Sequence, residues 1–454
     1  MSKFRLIRKL QEIWSIEELR TKILNTLFFL LIYRLGTFVI LPGIDSEQLT
    51  GLQGQTDGSL LGLINVFAGG AFARGAFFAL GIMPYISASI VIQLMGIAVP
   101  AFQKMQKEGE DGRRKLNQIT RYLTVAITLV QSVAYLINIT SNPGNSGALL
   151  FISRPDVMSQ SMFMIVNTLI LTAGTIFVMW IGEKITDKGL GNGISLIIMI
   201  GIVDRLPGAL TFELVQRFND GQLPIFIVQL TLWLAVIVAS VLLVQGTRKI
   251  PVNYAKRVVG NRQYGGSRQY IPLKVNAAGV MPIIFAQALM FIPPYIKQMF
   301  PNSTSSVLNS MDDWTSIPYN VIFAVLIIAF TYFYTVITIN PQQISEELKK
   351  NGGFIPGVKP GKKTSEYIDT IMSRIILPGS IFLAFVSIMP AIAVFFNVGN
   401  AFAQFYGGTS LLIMVGVVLD TLQHIESYLL MRHYDGLMKT GRIKGRTGAI
   451  GASI

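Results

Sequence analysis

The stretch GSLLGLINVFAGGAFARGAFFALGIMPYISASIVIQL, Gly58 to Leu94, decides how the chain is to be read. Its first part, SLLGLINVFAGGAF, is apolar but shorter than the about 20 residues a helix needs to cross hydrocarbon, and its glycines interrupt helix. An apolar segment that neither spans nor carries charge is either buried in protein or re-entrant, because unpaired backbone is not tolerated facing lipid. Two placements satisfy this: a re-entrant segment packed inside a helical bundle, or an extracytoplasmic cap. The remainder, 75–99, is long enough to span. Pro84 falls inside it, removes one backbone hydrogen bond, and is expected to kink or loosen the helix.

The rest of the chain has the same character. It has 454 residues, of which 51% are hydrophobic and only 14% charged; its mean hydropathy is +0.53. Soluble domains carry about 25% charged residues, so this is a polytopic membrane protein. Ten apolar segments are candidate spans: 23–41, 75–99, 117–138, 161–182, 191–208, 223–245, 275–296, 318–339, 375–396 and 407–430. The fifth is the weakest, because its short centre ISLIIMIGIV runs into Asp204 and Arg205; it is marginal or sheltered by neighbours. The first 22 residues form a basic amphipathic segment with no small-residue cleavage site after an apolar core.

Most of the 38 Lys and Arg residues fall in alternate loops: the N-terminus, 100–116, 246–274, 341–373 and the tail 431–454. The positive-inside rule makes that side cytoplasmic and puts both termini there. The loops Thr247–Lys274 and 341–373 are longer and more basic than orientation alone requires. Attraction to anionic lipid headgroups, about 1 kcal/mol per basic residue, is one reading. Docking of a polyanionic or acidic partner is the other, and Tyr254, Tyr264 and Tyr270 among the arginines suit an RNA surface. The second loop holds FIPGVKPGKKT, Phe354 to Thr364, which superficially resembles a phosphate-binding loop. The spacing excludes that. The P-loop glycine position is Pro356, Lys362 is followed by Lys363 and not a hydroxyl, and two prolines remove backbone donors.

With no cysteine and only His424 and His433, thiolate chemistry and imidazole metal clusters are excluded. The spans hold few ionisable groups: Arg34 in the first, Asp420 and Glu426 in the last. Ion-coupled transporters depend on intramembrane carboxylates; their scarcity argues against a secondary transporter, the main rival architecture with inverted repeats and broken helices. No nucleophile–base pair or metal cluster marks an enzyme. A scaffold or insertase without a pore is the third class.

Specific motifs sharpen this. ALGIMPYISASIVIQL (Ala79–Leu94), GLGNGIS (Gly189–Ser195), VNYAKR (Val252–Arg257), PLKVNAAGVMP (Pro272–Pro282) and GGTSLLI (Gly407–Ile413) closely resemble the SecY/Sec61-alpha family, the channel-forming subunits of the Sec translocon, and the likeness runs through all ten segments in order. It implies an all-α polytopic membrane protein, ten transmembrane helices in two inverted five-helix halves, 23–208 and 223–430, joined by an external hinge loop at 209–222. It implies a re-entrant plug helix comprising Ser59, Leu60, Leu61, Gly62, Leu63, Ile64, Asn65, Val66, Phe67, Ala68, Gly69, Gly70, Ala71 and Phe72. A pore ring is implied at Ile82, Ile86, Ile194, Ile198, Ile284 and Ile413, and a polar cluster across a lateral gate at Ser87, Gln131 and Asn276. Docking positions for the SecA motor ATPase or the ribosome correspond to Lys256, Arg257, Arg262, Lys349, Lys350 and Lys359. In the family pattern an arginine stands where Lys359 is, and an arginine pair where Asn261-Arg262 is; lysine keeps the charge but loses the planar fork.

By the same resemblance the chain is a passive channel in the bacterial plasma (inner) membrane. SecE-like and SecG-like small subunits, signal peptides, nascent membrane proteins and anionic lipid are its expected partners. ATP hydrolysis belongs to the motor, and no cofactor or metal is implied. The physics suits the residues. A conduit for arbitrary sequences cannot present fixed charges, whereas an aliphatic collar fits loosely around any chain and closes when empty.

Overall fold

The computed structural model describes residues 13–49, 60–141, 143–153, 159–254, 257–259, 262–264, 268–276, 278–290, 293 and 313–439. Helices dominate. They are α1 (Glu17–Gly36), α2 (Leu60–Phe67), α3 (Ala71–Arg74), α4 (Met83–Ala98), α5 (Pro100–Lys107), α6 (Glu110–Ser141), α7 (Leu150–Ser153) and α8 (Gln160–Lys188) in the first part. After them come α9 (Gly193–Asn219), α10 (Leu223–Gln245), α11 (Met281–Met290), α12 (Ile317–Thr338), α13 (Pro341–Lys350), α14 (Lys362–Phe395), α15 (Asn400–Ala403) and α16 (Gly408–Lys439).

Each of the ten apolar segments contributes a helix, but the expected ten are not all self-sufficient spans. Among the described residues seven helices are long and apolar enough to cross a membrane, or eight if Met83–Gly96 and Pro100–Gln106, bent by 101°, count as one. Helix α1 falls short because it carries Arg20, Lys22 and Arg34 among its apolar residues. Helix α11 has only 10 described residues, and the rest of the seventh segment, beyond Met290, lies largely outside the described residues.

Two expectations about the backbone are corrected. Pro84 does not kink a helix. It sits in the first turn of α4, where its missing N–H has no helical partner to lose, and residues 75–82 form turns instead of helix. The segment 209–222 is not a loop: α9 continues to Asn219 with Pro207 inside it, leaving only Asp220, Gly221 and Gln222 before α10. Glu213 explains the extension. It is buried, pairs with Arg217 at 3.0 Å and accepts the Gly399 N–H at 3.1 Å, so the last turns of α9 lean on the loop before α15.

The bundle shares one large apolar core to which α1, α2, α4, α6, α8, α9, α11, α12, α14 and α16 all contribute. The first five long helices and the last five meet where α9 packs on α10 and α16, and where α4 meets α11. The long loops are not irregular. Strands β1 (Thr247–Tyr254), β4 (Arg268–Lys274) and β5 (Gly353–Phe354) form an antiparallel sheet in the order β4-β1-β5. Strands β2 (Arg257–Val259) and β3 (Arg262–Tyr264) form a separate antiparallel pair. A second apolar cluster, Ile250, Val252, Leu273, Leu348, Ile355, Ile368, Met372 and Ile376, backs the three-stranded sheet and ties it to α13 and the start of α14.

Candidate functional site

The apolar stretch that opened the sequence reading is inside the bundle. Its helix α2 packs against α9, and Ile64, Asn65, Val66, Phe67, Ala68 and Phe72 are all buried. Of the alternatives for this stretch, the structure has the segment packed within the helices, not capping them. The segment's own polar group is satisfied at home: Asn65 Oδ1 accepts the Ala73 N–H at 3.0 Å. On α6, Tyr135 donates to the Phe72 carbonyl at 2.7 Å and its ring lies 4.8 Å from that of Phe72. A close backbone approach completes the seat. A Cβ added at Gly201 on α9 would lie 2.9 Å from the Phe67 carbonyl oxygen, so only glycine fits there. Ser59 lies outside the described residues.

The six isoleucines named from the sequence belong to the same core. Ile82, immediately before α4, and Ile86 within it are buried, as are Ile198 on α9 and Ile413 on α16, while Ile194 and Ile284 are partly buried against them. Ile194 and Ile198 are one turn apart on α9. Ile194 also leans on α8, for its Cγ1 would be 3.1 Å from a Cβ at Gly182. Aliphatic side chains from four helices thus share one continuous apolar mass with the α2 segment. The charges stay at its margins: Asp204 pairs with Arg34 at 2.6 Å, and Glu426 borders a cleft of about 220 Å³ with Gln245, Lys274 and Gln423.

The three polar residues assigned to the seam are not joined by hydrogen bonds to one another. Ser87 donates to the Met83 carbonyl of its own helix at 3.1 Å, the usual back-bond of a helical serine. Gln131 is half-buried on α6. Asn276 is buried ahead of α11, and its Oδ1 has no hydrogen-bond partner among the described residues. Helices α4 and α11 are in contact.

On the basic loops, Lys349, Lys350 and Lys359 are exposed. Arg257 opens β2 and Arg262 opens β3, at the two ends of the paired strands, and Lys256 lies outside the described residues. FIPGVKPGKKT is held rigidly. Phe354 is in β5, Ser345 Oγ donates to the Gly361 carbonyl at 2.7 Å, and Thr364 Oγ1 donates to the Lys359 carbonyl at 3.0 Å. Its hydroxyl and two of its carbonyls are committed internally, as suits a rigid display of lysines and not a phosphate cradle. Sequence reasoning missed Asp204 as the partner of Arg34 and Glu213 as the anchor of the α9 end. Their partners are remote in sequence, and no local pattern announces them.

A family model described as SecY matches residues 76–422. The protein translocase subunit SecY of Mycobacterium tuberculosis is 41% identical over 437 residues, covering 93% of this chain and 97% of that protein. The SecY subunit of Chlamydia trachomatis is 40% identical over 459 residues, covering 96% and 99%. Among solved structures, a protein-conducting channel is similar with a TM-score of 0.60 at 16% identity, covering 94% of this chain and 95% of that one. Canine Sec61 in a ribosome–channel complex is similar with a TM-score of 0.54 at 17% identity, covering 94% and 95%. The match over most of the chain, the shared fold and the buried re-entrant segment lead to one conclusion: the chain belongs to the SecY family.

Proposed function

We propose that this chain is the central subunit of a protein-conducting channel, through which unfolded polypeptides cross the plasma membrane and hydrophobic segments leave sideways into the bilayer. The observation that carries this reading is the apolar re-entrant helix α2, too short to span, lodged in the core it shares with Ile82, Ile86, Ile194, Ile198, Ile284 and Ile413. A plug seated on an aliphatic ring closes the path without any group that would hold a passing chain. The related SecY proteins are named as protein translocase subunits, and a structure of the same fold is that of a SecY whose plug domain stabilises the closed state of the translocation channel and maintains a membrane seal.

The first five long helices and the last five form two halves that part at the contact of α4 with α11, and the turn at Asp220–Gln222 is their hinge. A signal segment opens this gate by partitioning: ten central leucines gain about 3 to 6 kcal/mol in hydrocarbon, whereas one aspartate costs about 3. Asn276 is the group at the seam with bonding capacity to spare. The folded platform of β1, β4, β5 and α13 docks a ribosome or a SecA-type motor, which supplies the energy and hydrolyses the ATP; the channel itself is passive. SecE-like and SecG-like subunits brace the bundle, anionic lipid meets the basic rim, and both termini are cytoplasmic.

Conductance in planar bilayers tests the reading. Protein lacking residues 59–72 is expected to pass ions in the absence of substrate, while the full chain stays tight. A plugless protein that conducts nothing identifies a scaffold, not a channel.

A further inference from the structure

Just beyond α2 the segment meets a charged pair as well as the apolar core. After α2 the chain turns through Gly69 and Gly70, both with positive φ (60° and 85°), which leaves the Gly69 carbonyl outside the helix hydrogen-bond ladder. Arg34 of α1 reaches that oxygen: Nη1 donates to Gly69 O at 3.2 Å. The other arm of the same guanidinium, Nη2, pairs with Asp204 of α9 at 2.6 Å. Asp204 follows Gly201 by three residues, so one turn of α9 both touches the segment's backbone and supplies the carboxylate. The Phe38 ring orients the group, with the Arg34 and Arg74 guanidinium carbons each 4.6 Å from its centroid.

A partly buried arginine is costly unless its donors are met. With the segment in place, one fork serves two acceptors in two different elements. Removing the segment takes away the Gly69 carbonyl and leaves Arg34 with Asp204, a long contact from Nη1 to Thr37 Oγ1 at 3.5 Å, and the Phe38 ring.

We infer that Arg34, oriented by Asp204, is a positioning residue that pins the closed plug and sets how readily it is displaced. This rests on the reading of residues 59–72 as the plug. It is a charged latch laid over an apolar seat, so the threshold for opening is set by polar geometry as well as by the isoleucines. A signal segment too weak to displace the pinned plug is passed once the latch is cut.

The chain has no cysteine of its own, which allows a direct test in proteoliposomes. A cysteine placed at Ala68, buried and adjacent to Gly69, reports plug displacement by its rate of modification with a membrane-impermeant maleimide. Asp204→Asn is expected to raise both that rate and the resting ion leak by about tenfold or more, the effect of losing one charge-assisted hydrogen bond. Arg34→Lys, which keeps the charge and loses the fork, is expected to fall between Asp204→Asn and the parent.

Glu213→Gln serves as the control, since it cuts a buried ion pair of the same helix away from the plug. If it raises Ala68→Cys labelling as much as Asp204→Asn does, the effect is general loosening and the latch is refuted. If Asp204→Asn is as tight as the parent while deletion of 59–72 conducts, the latch fails and the plug reading stands. If both are tight, the plug reading falls and takes the latch with it.

Discussion

Asn253 and Phe354 are register partners, and through these residues, 101 positions apart in the chain, two loops become one sheet. The neighbouring pair, Tyr254 with Gly353, closes the contact, and Leu348 and Ile355 are buried beneath it with Ile250 and Val252. Two loops that only adsorbed to lipid headgroups would have no reason to share an apolar core. A surface built from both loops holds its lysines in fixed relation, as recognition of a specific partner requires.

Leu348→Ala should therefore weaken docking without touching a charge. Truncating a buried leucine costs about 2 to 5 kcal/mol locally, here in the cluster that the platform shares with the start of α14, outside the main core of the bundle. The expected outcome is reduced co-sedimentation with ribosomes or motor, with the thermal unfolding of the spans in detergent unchanged. Unimpaired binding would show that the platform's shape is irrelevant to recognition.

Gly201→Ala should loosen the plug seat. The added Cβ would sit 2.9 Å from the Phe67 carbonyl oxygen and 3.1 Å from the Gly69 nitrogen, both backbone atoms that cannot swing aside. The plug or α9 has to shift by a few tenths of an ångström, so the closed channel is expected to leak ions measurably in planar bilayers. A variant as tight as the parent would mean that the plug does not seal against α9.

Asn276→Leu is expected to tighten the gate. An unpartnered buried acceptor costs about 1 to 3 kcal/mol, and leucine of similar size removes it from the closed seam. Export of a reporter with a defective signal sequence should fall relative to one with an intact signal. If the defective signal is exported more efficiently instead, the Asn276 side chain holds the seam closed through a bond made in another state.

The bundle was legible in the sequence because hydrocarbon imposes length and composition on each span, and the plug because an apolar segment too short to cross has few places to go. The six isoleucines expected to form a ring were singled out through motif likeness alone, since nothing local separates Ile198 from its equally buried neighbour Ile197. The sheet was hidden for a physical reason. Strand β1 reads TRKIPVNY, with Pro251 at its centre and charges at its start, and proline ordinarily argues against a strand. It pairs with Arg268–Lys274 of its own loop and with Gly353–Phe354 of the next long loop, and the second partner is too remote for a local pattern to announce. The Arg34–Asp204 pair is equally remote, and what read as a weak fifth span is a helix whose acid is neutralised by the first. The hydrogen bonding of the seam residues was not legible, because a helical serine can satisfy itself on its own backbone, as Ser87 does.

Lys359 is one of the two places where the chain departs from the pattern that the resemblance implies, and its surroundings say what the departure costs. The backbone there is fixed by the Thr364 hydroxyl while the side chain is exposed. Of the nearby lysines, Lys363 is engaged by Glu366 at 3.0 Å, and that hydrogen bond, with the charge behind it, holds the Glu366 carboxyl below its ordinary range. Lys363 is thus a poor substitute, and the positive field at the loop tip depends on Lys359 and Lys362. Lys359→Glu is expected to slow motor-driven translocation in vesicles, with insertion of the channel in the membrane unaffected. Lys359→Arg should equal or exceed the parent, because the planar fork is restored. Raising ionic strength from about 0.1 M to 1 M shortens the screening length from about 10 Å to 3 Å, so ribosome binding should fall steeply over that range and the penalty of Lys359→Glu should shrink with it. Binding that ignores salt would show that the platform's apolar and hydrogen-bonding groups, and not its lysines, hold the partner.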